Sequence, residues 1–288
     1  MDFAIEIEHL TKVFKDFSLN HVSLKIPKGT VVGIIGENGA GKSTLIQSIL
    51  GIVDSQYDKL TYFGKDFKQN EKNIKEDLAV IFDTTHYDLE LTPRWIERIL
   101  SHTFQNWNHE LYQSYLQKFE LPYDKKIKLF SRGMKMKLEF AIAFSHDAKI
   151  LILDEATSGL DPIIRDEILN LIRAFTEDEN HTVLISSHIT SDLDKIADYI
   201  VYLYKGKCIF MQTYDEMNEN YGIIHGTKDL LNTLSQDDIV AYIQEPYSIS
   251  ILVKNRQQIQ SVFQDLEITR PTIEEIMLFY AKGVKEIC

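Results

Sequence analysis

Gly36-Glu37-Asn38-Gly39-Ala40-Gly41-Lys42-Ser43-Thr44 satisfies the phosphate-loop pattern G-x-x-x-x-G-K-[ST]. The run before it, Val31-Val32-Gly33-Ile34-Ile35, reads as a fully buried strand. After it, residues 43–50 carry apolar side chains at helical spacing. Strand, glycine loop and helix are the context in which this pattern holds a nucleoside triphosphate. The glycines Gly36, Gly39 and Gly41, with Asn38 and Ala40 between them, let the backbone approach a polyphosphate and turn successive N–H groups toward it. The helix N-terminus around Ser43 and Thr44 adds partial positive charge. Lys42 is expected to reach the β- and γ-phosphates, and Ser43 to place its hydroxyl on Mg²⁺.

A second stretch, Lys149-Ile150-Leu151-Ile152-Leu153-Asp154-Glu155, is an apolar strand ending in two carboxylates. Such a strand belongs in the middle of a parallel sheet, and an open α/β sheet puts its ligand at the C-terminal ends of its strands. Asp154 is therefore a candidate Mg²⁺ ligand, through water, because Mg²⁺ keeps several waters and takes few carboxylates. Glu155 is placed to orient or deprotonate a water that attacks the γ-phosphate.

With these motifs the chain resembles the ATP-binding subunits of ATP-binding-cassette (ABC) transporters, over about residues 3–217. Phe14 resembles the aromatic that stacks on adenine, with Phe17 its nearest rival. Leu129-Phe130-Ser131-Arg132-Gly133-Met134-Lys135 stands at the family signature, usually LSGGQ. Ser158-Gly159-Leu160-Asp161 resembles the D-loop, and His188, after Ser186-Ser187, the switch histidine that contacts the γ-phosphate. The resemblance implies two cassettes, a second copy or a related chain, packed head to tail. Each ATP then lies between residues 36–44 of one and Ser131, Gly133 and Asp161 of the other, with Glu155, His188 and Lys42 catalytic. It also implies a separate polytopic membrane subunit and a peripheral position at the cytoplasmic face of the membrane.

Three departures from the family pattern stand out. Arg132 and Met134 replace the usual glycine and glutamine of the signature. Ala156 stands where proline is usual. Asp83, after Leu78-Ala79-Val80-Ile81-Phe82, occupies the place of the Q-loop glutamine. Its carboxylate can still accept from a Mg²⁺-bound water, but it is one methylene shorter and charged.

Composition agrees with an intracellular enzyme. The 288 residues carry 43 acidic and 31 basic side chains, a formal charge of −12, which argues against nucleic acid as the partner. Cys208 and Cys288 are far apart in sequence and suggest neither a disulfide framework nor a metal site. No apolar run approaches about 18 residues, so no membrane span is expected, and the start is no signal peptide.

The fold expected is α/β: a phosphate-loop ABC ATPase core with an antiparallel β subdomain and a helical subdomain, plus a small α+β C-terminal domain. The boundary is placed at 220/221, with the helical subdomain at about 94–145. Short strands are expected over residues 3–35. Trp95, Ile96, Ile99 and Leu100 form one apolar helical stripe and Leu111, Tyr115, Leu116 and Phe119 another, with Asn108 as N-cap. The aromatics Trp95, Phe104, Trp107 and Tyr112 read as core, with docking of a membrane partner as the alternative.

Past residue 221 the pattern reads β-α-β-β-α-β plus a last helix from Thr272, resembling a ferredoxin-like unit. The tail is expected to cover an exposed sheet edge, with regulation or stabilisation of a dimer as the alternatives. Arg270-Pro271-Thr272-Ile273-Glu274-Glu275-Ile276-Met277 resembles the terminus of ATPase subunits of bacterial exporters, those of antimicrobial or cytolytic peptides and some drug-resistance transporters. The rival reading is an ABC-type ATPase not coupled to transport, such as one of cluster assembly. A phosphate-loop kinase or GTPase would not explain the ordered motifs, and a guanine-specifying Asn-Lys-x-Asp string is absent.

Overall fold

The computed structural model describes residues 2–84, 87–246 and 248–284. Two compact units divide between Phe210 and Met211. This lies ten residues before the boundary expected from the sequence. The helix Tyr214–Asn220 belongs to the second unit, where the Arg256 guanidinium donates to the carbonyls of Asn218 and Glu219.

The first unit is built on a six-stranded sheet. Its order is Lys207–Thr213, Tyr199–Tyr204, Val31–Ile35, Thr182–Ser186, Ile150–Asp154 and Leu78–Phe82. The phosphate-loop strand pairs in parallel with both of its neighbours, and Ile150–Asp154 pairs in parallel with Thr182–Ser186 and Leu78–Phe82. Every residue of Val31–Ile35, Ile150–Asp154 and Thr182–Ser186 is buried, as expected of strands covered on both faces. Register does the positioning. Asp154 lies opposite Ser186 on one side and Phe82 on the other, so Glu155 and Asp83 each stand one step beyond a strand end.

A second sheet, antiparallel, has the order Ser18–Pro27, Phe3–Val13, Lys59–Tyr62 and Lys65–Asp66. Its first two strands are long, not short as the sequence suggests. Register shifts along their ladder absorb the irregular pattern that reads as breaks. Between them, the turn at 14–17 closes with the Phe14 N–H donating to the Phe17 carbonyl.

The helical insert comprises Pro93–Thr103, His109–Lys118, the short 3-10 turn Ile127–Leu129 and Arg132–Ala143. Asn108 caps the second helix, accepting from the Leu111 N–H at 2.9 Å. Of the aromatics read as core, Tyr112 is fully buried and Phe104 and Trp107 are half-buried. Trp95 is corrected to the surface: it is 49% exposed and carries the Arg98 guanidinium over its ring. The helix is short, and only Ile96 of its stripe turns fully inward.

The second unit holds a four-stranded antiparallel sheet of order Ile239–Gln244, Ile249–Val253, Gly222–Gly226 and Ile268–Thr269. Helices Asp229–Thr233 and Arg256–Val262 fall between the first and second and the third and fourth strands in the chain. Its core gathers Ile224, Leu231, Ile249, Ile251, Val253 and Ile259. The last helix, Ile273–Lys282, starts at a reciprocal cap between Thr272 and Glu275.

Candidate active site

The site forms where the parallel strands end. The loop 36–41 leads directly into helix Lys42–Ile49, whose N-terminus points its free N–H groups at the loop's interior. Two glycines are dictated by close approach. A Cβ on Gly36 would sit 2.4 Å from the Leu203 carbonyl oxygen, and one on Gly41 2.7 Å from the Phe17 ring. Gly41 also has φ 107°, a region L side chains rarely adopt. The turn at Lys205-Gly206 braces the loop from behind, the Gly206 N–H donating to the Ala40 carbonyl at 3.0 Å.

Lys42 is 6% exposed. Its ammonium donates to the carbonyls of Gly36 (2.9 Å) and Glu37 (3.4 Å) and lies 3.4 Å from Glu155 Oε1. The other carboxylate oxygen of Glu155 accepts from the His188 backbone N–H at 3.3 Å and is in short contact with His188 Nδ1. One carboxylate is thus held between a buried ammonium and a half-exposed imidazole. Glu155 has φ 55°, left-handed for a residue with a side chain, and its N–H is pinned by Ser186 through both the carbonyl (3.2 Å) and the hydroxyl (3.1 Å). Backbone strain of this kind persists where surrounding bonds over-determine it.

Asp154, 6% exposed, accepts from Ser43 Oγ at 3.1 Å and from Ser186 Oγ at 2.6 Å. Burial, reinforced by the charges of Glu155 and Asp83, pushes its carboxyl above the usual carboxylate range against the pull of those two hydroxyls. Ser43, Asp83, Asp154 and Glu155 line a cleft of about 470 Å³ with Gln47 and Thr84. A divalent cation fits this donor set: hard oxygens, one of them a buried carboxylate whose charge the protein alone compensates incompletely.

Phe14 is 45% exposed and lines a second cleft of about 450 Å³ with Phe17, Ser18, Gly39 and Lys205. Its ring stacks on Phe17 at 6.5 Å, while Phe17 itself packs on the phosphate loop at Gly41. Phe14 is the more exposed of the two rings, with the Lys12 ammonium 5.3 Å from its centre, and Phe17 is the support.

The signature residues stand apart from this group. Ser131 caps its own helix, accepting from the Met134 N–H at 3.2 Å, and is exposed. Gly133 faces Ile164 of the helix Pro162–Phe175. Asp161 caps that helix, accepting from the N–H groups of Ile163 and Ile164. The Arg132 guanidinium lies against Gly159, so close that a Cβ there would meet it at 2.8 Å. Among the described residues no hydrogen bond or ion pair joins Ser131, Gly133 or Asp161 to residues 36–44.

Two residues named from the sequence have roles here that the sequence reading missed. Ser186 bridges Asp154 and Glu155, and a hydroxyl ending an otherwise apolar strand is the signal that marks it. Phe17 buttresses the loop, a role that needs tertiary contact to be seen.

Comparison with known proteins decides the family. The ABC transporter family matches residues 19–158. The bacitracin transport ATP-binding protein BcrA of Bacillus licheniformis is 31% identical over 222 residues, covering 76% of this chain and 72% of that protein. The chain belongs to the ATP-binding subunits of ABC transporters. The lantibiotic transport ATP-binding protein SrtF of Streptococcus pyogenes is 33% identical over 216 residues, 73% of this chain and 91% of that one. A solved ATP-binding subunit of an ABC transporter superposes with TM-score 0.68 at 25% identity, over 75% of this chain and 92% of its own. As a member of this family the chain is an ATPase coupled to transport, and the reading as an uncoupled ATPase is not favoured. Among the described residues no helix is long and apolar enough to cross a membrane.

Proposed function

We propose that this chain binds Mg-ATP on residues 36–44 and hydrolyses it with Glu155, at a site completed by Ser131, Gly133 and Asp161 of a second ATP-binding subunit. Support comes above all from the placement of the Glu155 carboxylate between Lys42 and His188 at the mouth of the phosphate loop. Lys42 leans on Glu155 and two loop carbonyls. Phosphate oxygens, being anionic, compete for that ammonium and free Glu155 to take a proton from an attacking water.

His188 holds the carboxylate by its ring and its backbone N–H, and it faces the incoming γ-phosphate. Phe14 supplies the stacking face for adenine. Ser43, Asp154 and Asp83 would hold Mg²⁺, which supplies charge neutralisation at the β- and γ-phosphates. Among the described residues no hydrogen bond joins Ser131 or Gly133 to the phosphate loop of their own chain, which supports reading their donors as serving a partner. The γ-phosphate then stabilises only the closed pair, and its loss opens it.

The cargo reading rests on the relatives. Their names tie them to bacitracin and lantibiotic transport. We read this chain as the motor of an exporter of antimicrobial peptides. It would act through a separate polytopic membrane subunit and be held peripherally at the cytoplasmic face. The test of the chemical core is Glu155→Gln: turnover falls by about 10²–10⁴, the usual weight of a general base, while ATP binding is retained. Full activity in that variant would remove Glu155 from the role.

A further inference from the structure

Glu155 is fixed by its backbone from two sides. Its N–H is held by Ser186, and its carbonyl accepts from the Ser158 N–H at 3.0 Å, which closes a turn over residues 155–158. The chain turns again at once, the Leu160 N–H reaching the Thr157 carbonyl at 3.4 Å. Ala156, Thr157 and Leu160 are buried, whereas Gly159 stands exposed at the apex with φ 65°. The left-handed backbone of Glu155 persists only while its neighbours enforce it, so whatever steadies this double turn also steadies the carboxylate. One support comes from the helix Pro162–Phe175, where the Arg165 guanidinium donates to the Leu160 carbonyl at 3.0 Å.

The other support is Arg132, which stands where glycine is usual in the signature. A Cβ at Gly159 would lie 2.8 Å from Arg132 Nη1, 2.9 Å from Cζ and 3.4 Å from Nε. Three guanidinium atoms at such similar distances describe a plane laid against the glycine, not one N–H aimed at an acceptor. A side chain at 159 would push that plane away. Among the described residues no carboxylate pairs with Arg132, so an ion pair does not account for its position. A planar, weakly hydrated guanidinium suits this kind of packing, and a compact hydrated ammonium does not. The helix that Arg132 begins is fixed to the helix that the turn enters. Gly133 faces Ile164, and Lys137 Nζ meets Glu167 Oε2 at 2.5 Å.

We propose that Arg132 is a positioning residue for the Glu155 of its own chain. Its guanidinium sets the apex at Gly159, the turn carries that setting to the Ser158 N–H, and Ser158 holds the Glu155 carbonyl. Ser131 and Gly133, on either side of Arg132, are the residues proposed to meet ATP on a second subunit. Arg132 therefore ties the signature half of one composite site to the hydrolytic half of the other within a single chain, a role that rests on the two-subunit reading above.

The test is a double-mutant cycle on the full chain, with ATP turnover and equilibrium ATP binding measured for Arg132→Ala, Gly159→Asn and the two combined. Asn tolerates the left-handed backbone, and its Cβ displaces the guanidinium, so Gly159→Asn breaks the same contact from the other side. Each single substitution is expected to lower kcat about tenfold with ATP affinity unchanged, and the combination also about tenfold in place of about a hundredfold. Arg132→Lys keeps the charge but not the plane and should lose as much as Arg132→Ala. Losses that multiply, or no loss in Arg132→Ala, would overturn the proposal. Full activity in Arg132→Lys would also overturn it and assign the residue to the charge of a phosphate instead. Glu155→Gln is measured alongside. Normal turnover there defeats the reading of the site itself, whereas its loss together with multiplying effects at 132 and 159 defeats the role of Arg132 alone.

Discussion

The phosphate-loop half of the site and the signature half are built in opposite ways. The first is joined internally: Lys42, Ser43, Asp154, Glu155 and Ser186 are linked by short contacts, Lys42, Asp154 and Ser186 among them buried, with His188 at the edge. The second is exposed, and each of its polar groups is occupied locally, Ser131 and Asp161 as helix caps and Arg132 against Gly159. In the proposed function the first half binds nucleotide on its own chain. A half that is merely poised needs another surface to act upon, and that contrast is what makes the single chain look like part of a composite site.

Substitutions in the two halves should therefore fail differently. The largest effect is expected of Lys42→Ala, which removes a buried ammonium from the phosphates. Losing one partner of a buried charge pair costs about 2–5 kcal/mol, so ATP affinity should fall by at least about 30-fold in an equilibrium binding measurement. Affinity within threefold of the unaltered chain would break the distinction. Arg132→Ala should leave ATP affinity unchanged and lower kcat by about tenfold, near 1.4 kcal/mol, because it frees the Gly159 segment only where two surfaces meet. A change in KM with kcat intact would place Arg132 in the binding half instead.

The smallest effect concerns stability. Asp154 has its carboxyl raised by burial first, then by Glu155 and Asp83. A carboxyl raised on folding takes up a proton as the chain folds, so its ionised form weakens the fold at pH above that raised value. The penalty vanishes below the unfolded value of about 3.8. Asp154→Asn keeps acceptors for Ser43 and Ser186 and should raise Tm of the nucleotide-free protein by about 2–4 °C at pH 7–8, with no gain near pH 3. An equal gain at both pH values would mean that the charge is not the cause.

Much of the first half was legible because its chemistry is local in sequence. The loop 36–41, its flanking strand and its helix lie within twenty residues, and the Asp154-Glu155 pair ends a strand that only a buried parallel sheet explains. His188 follows a strand of the same kind. What stayed hidden depends on contacts across the chain. Ser186 acquires its role only once Thr182–Ser186 lies beside Ile150–Asp154, and Phe17 only once the turn at 14–17 folds over Gly41. Trp95 misled because an apolar stripe does not reveal how much of it finds a neighbour. The ring contacts that run from Tyr115 through Phe144 and Phe175 to His181 were equally invisible, because the fold alone brings them together.

The central claim, that each half serves the other across two chains, is tested most directly by the solution mass of Glu155→Gln with and without Mg-ATP. The account predicts 33.4 kDa without nucleotide and about twice that with it, the ATP retained in the larger species. A Glu155→Gln protein that binds ATP yet remains at 33.4 kDa would contradict it.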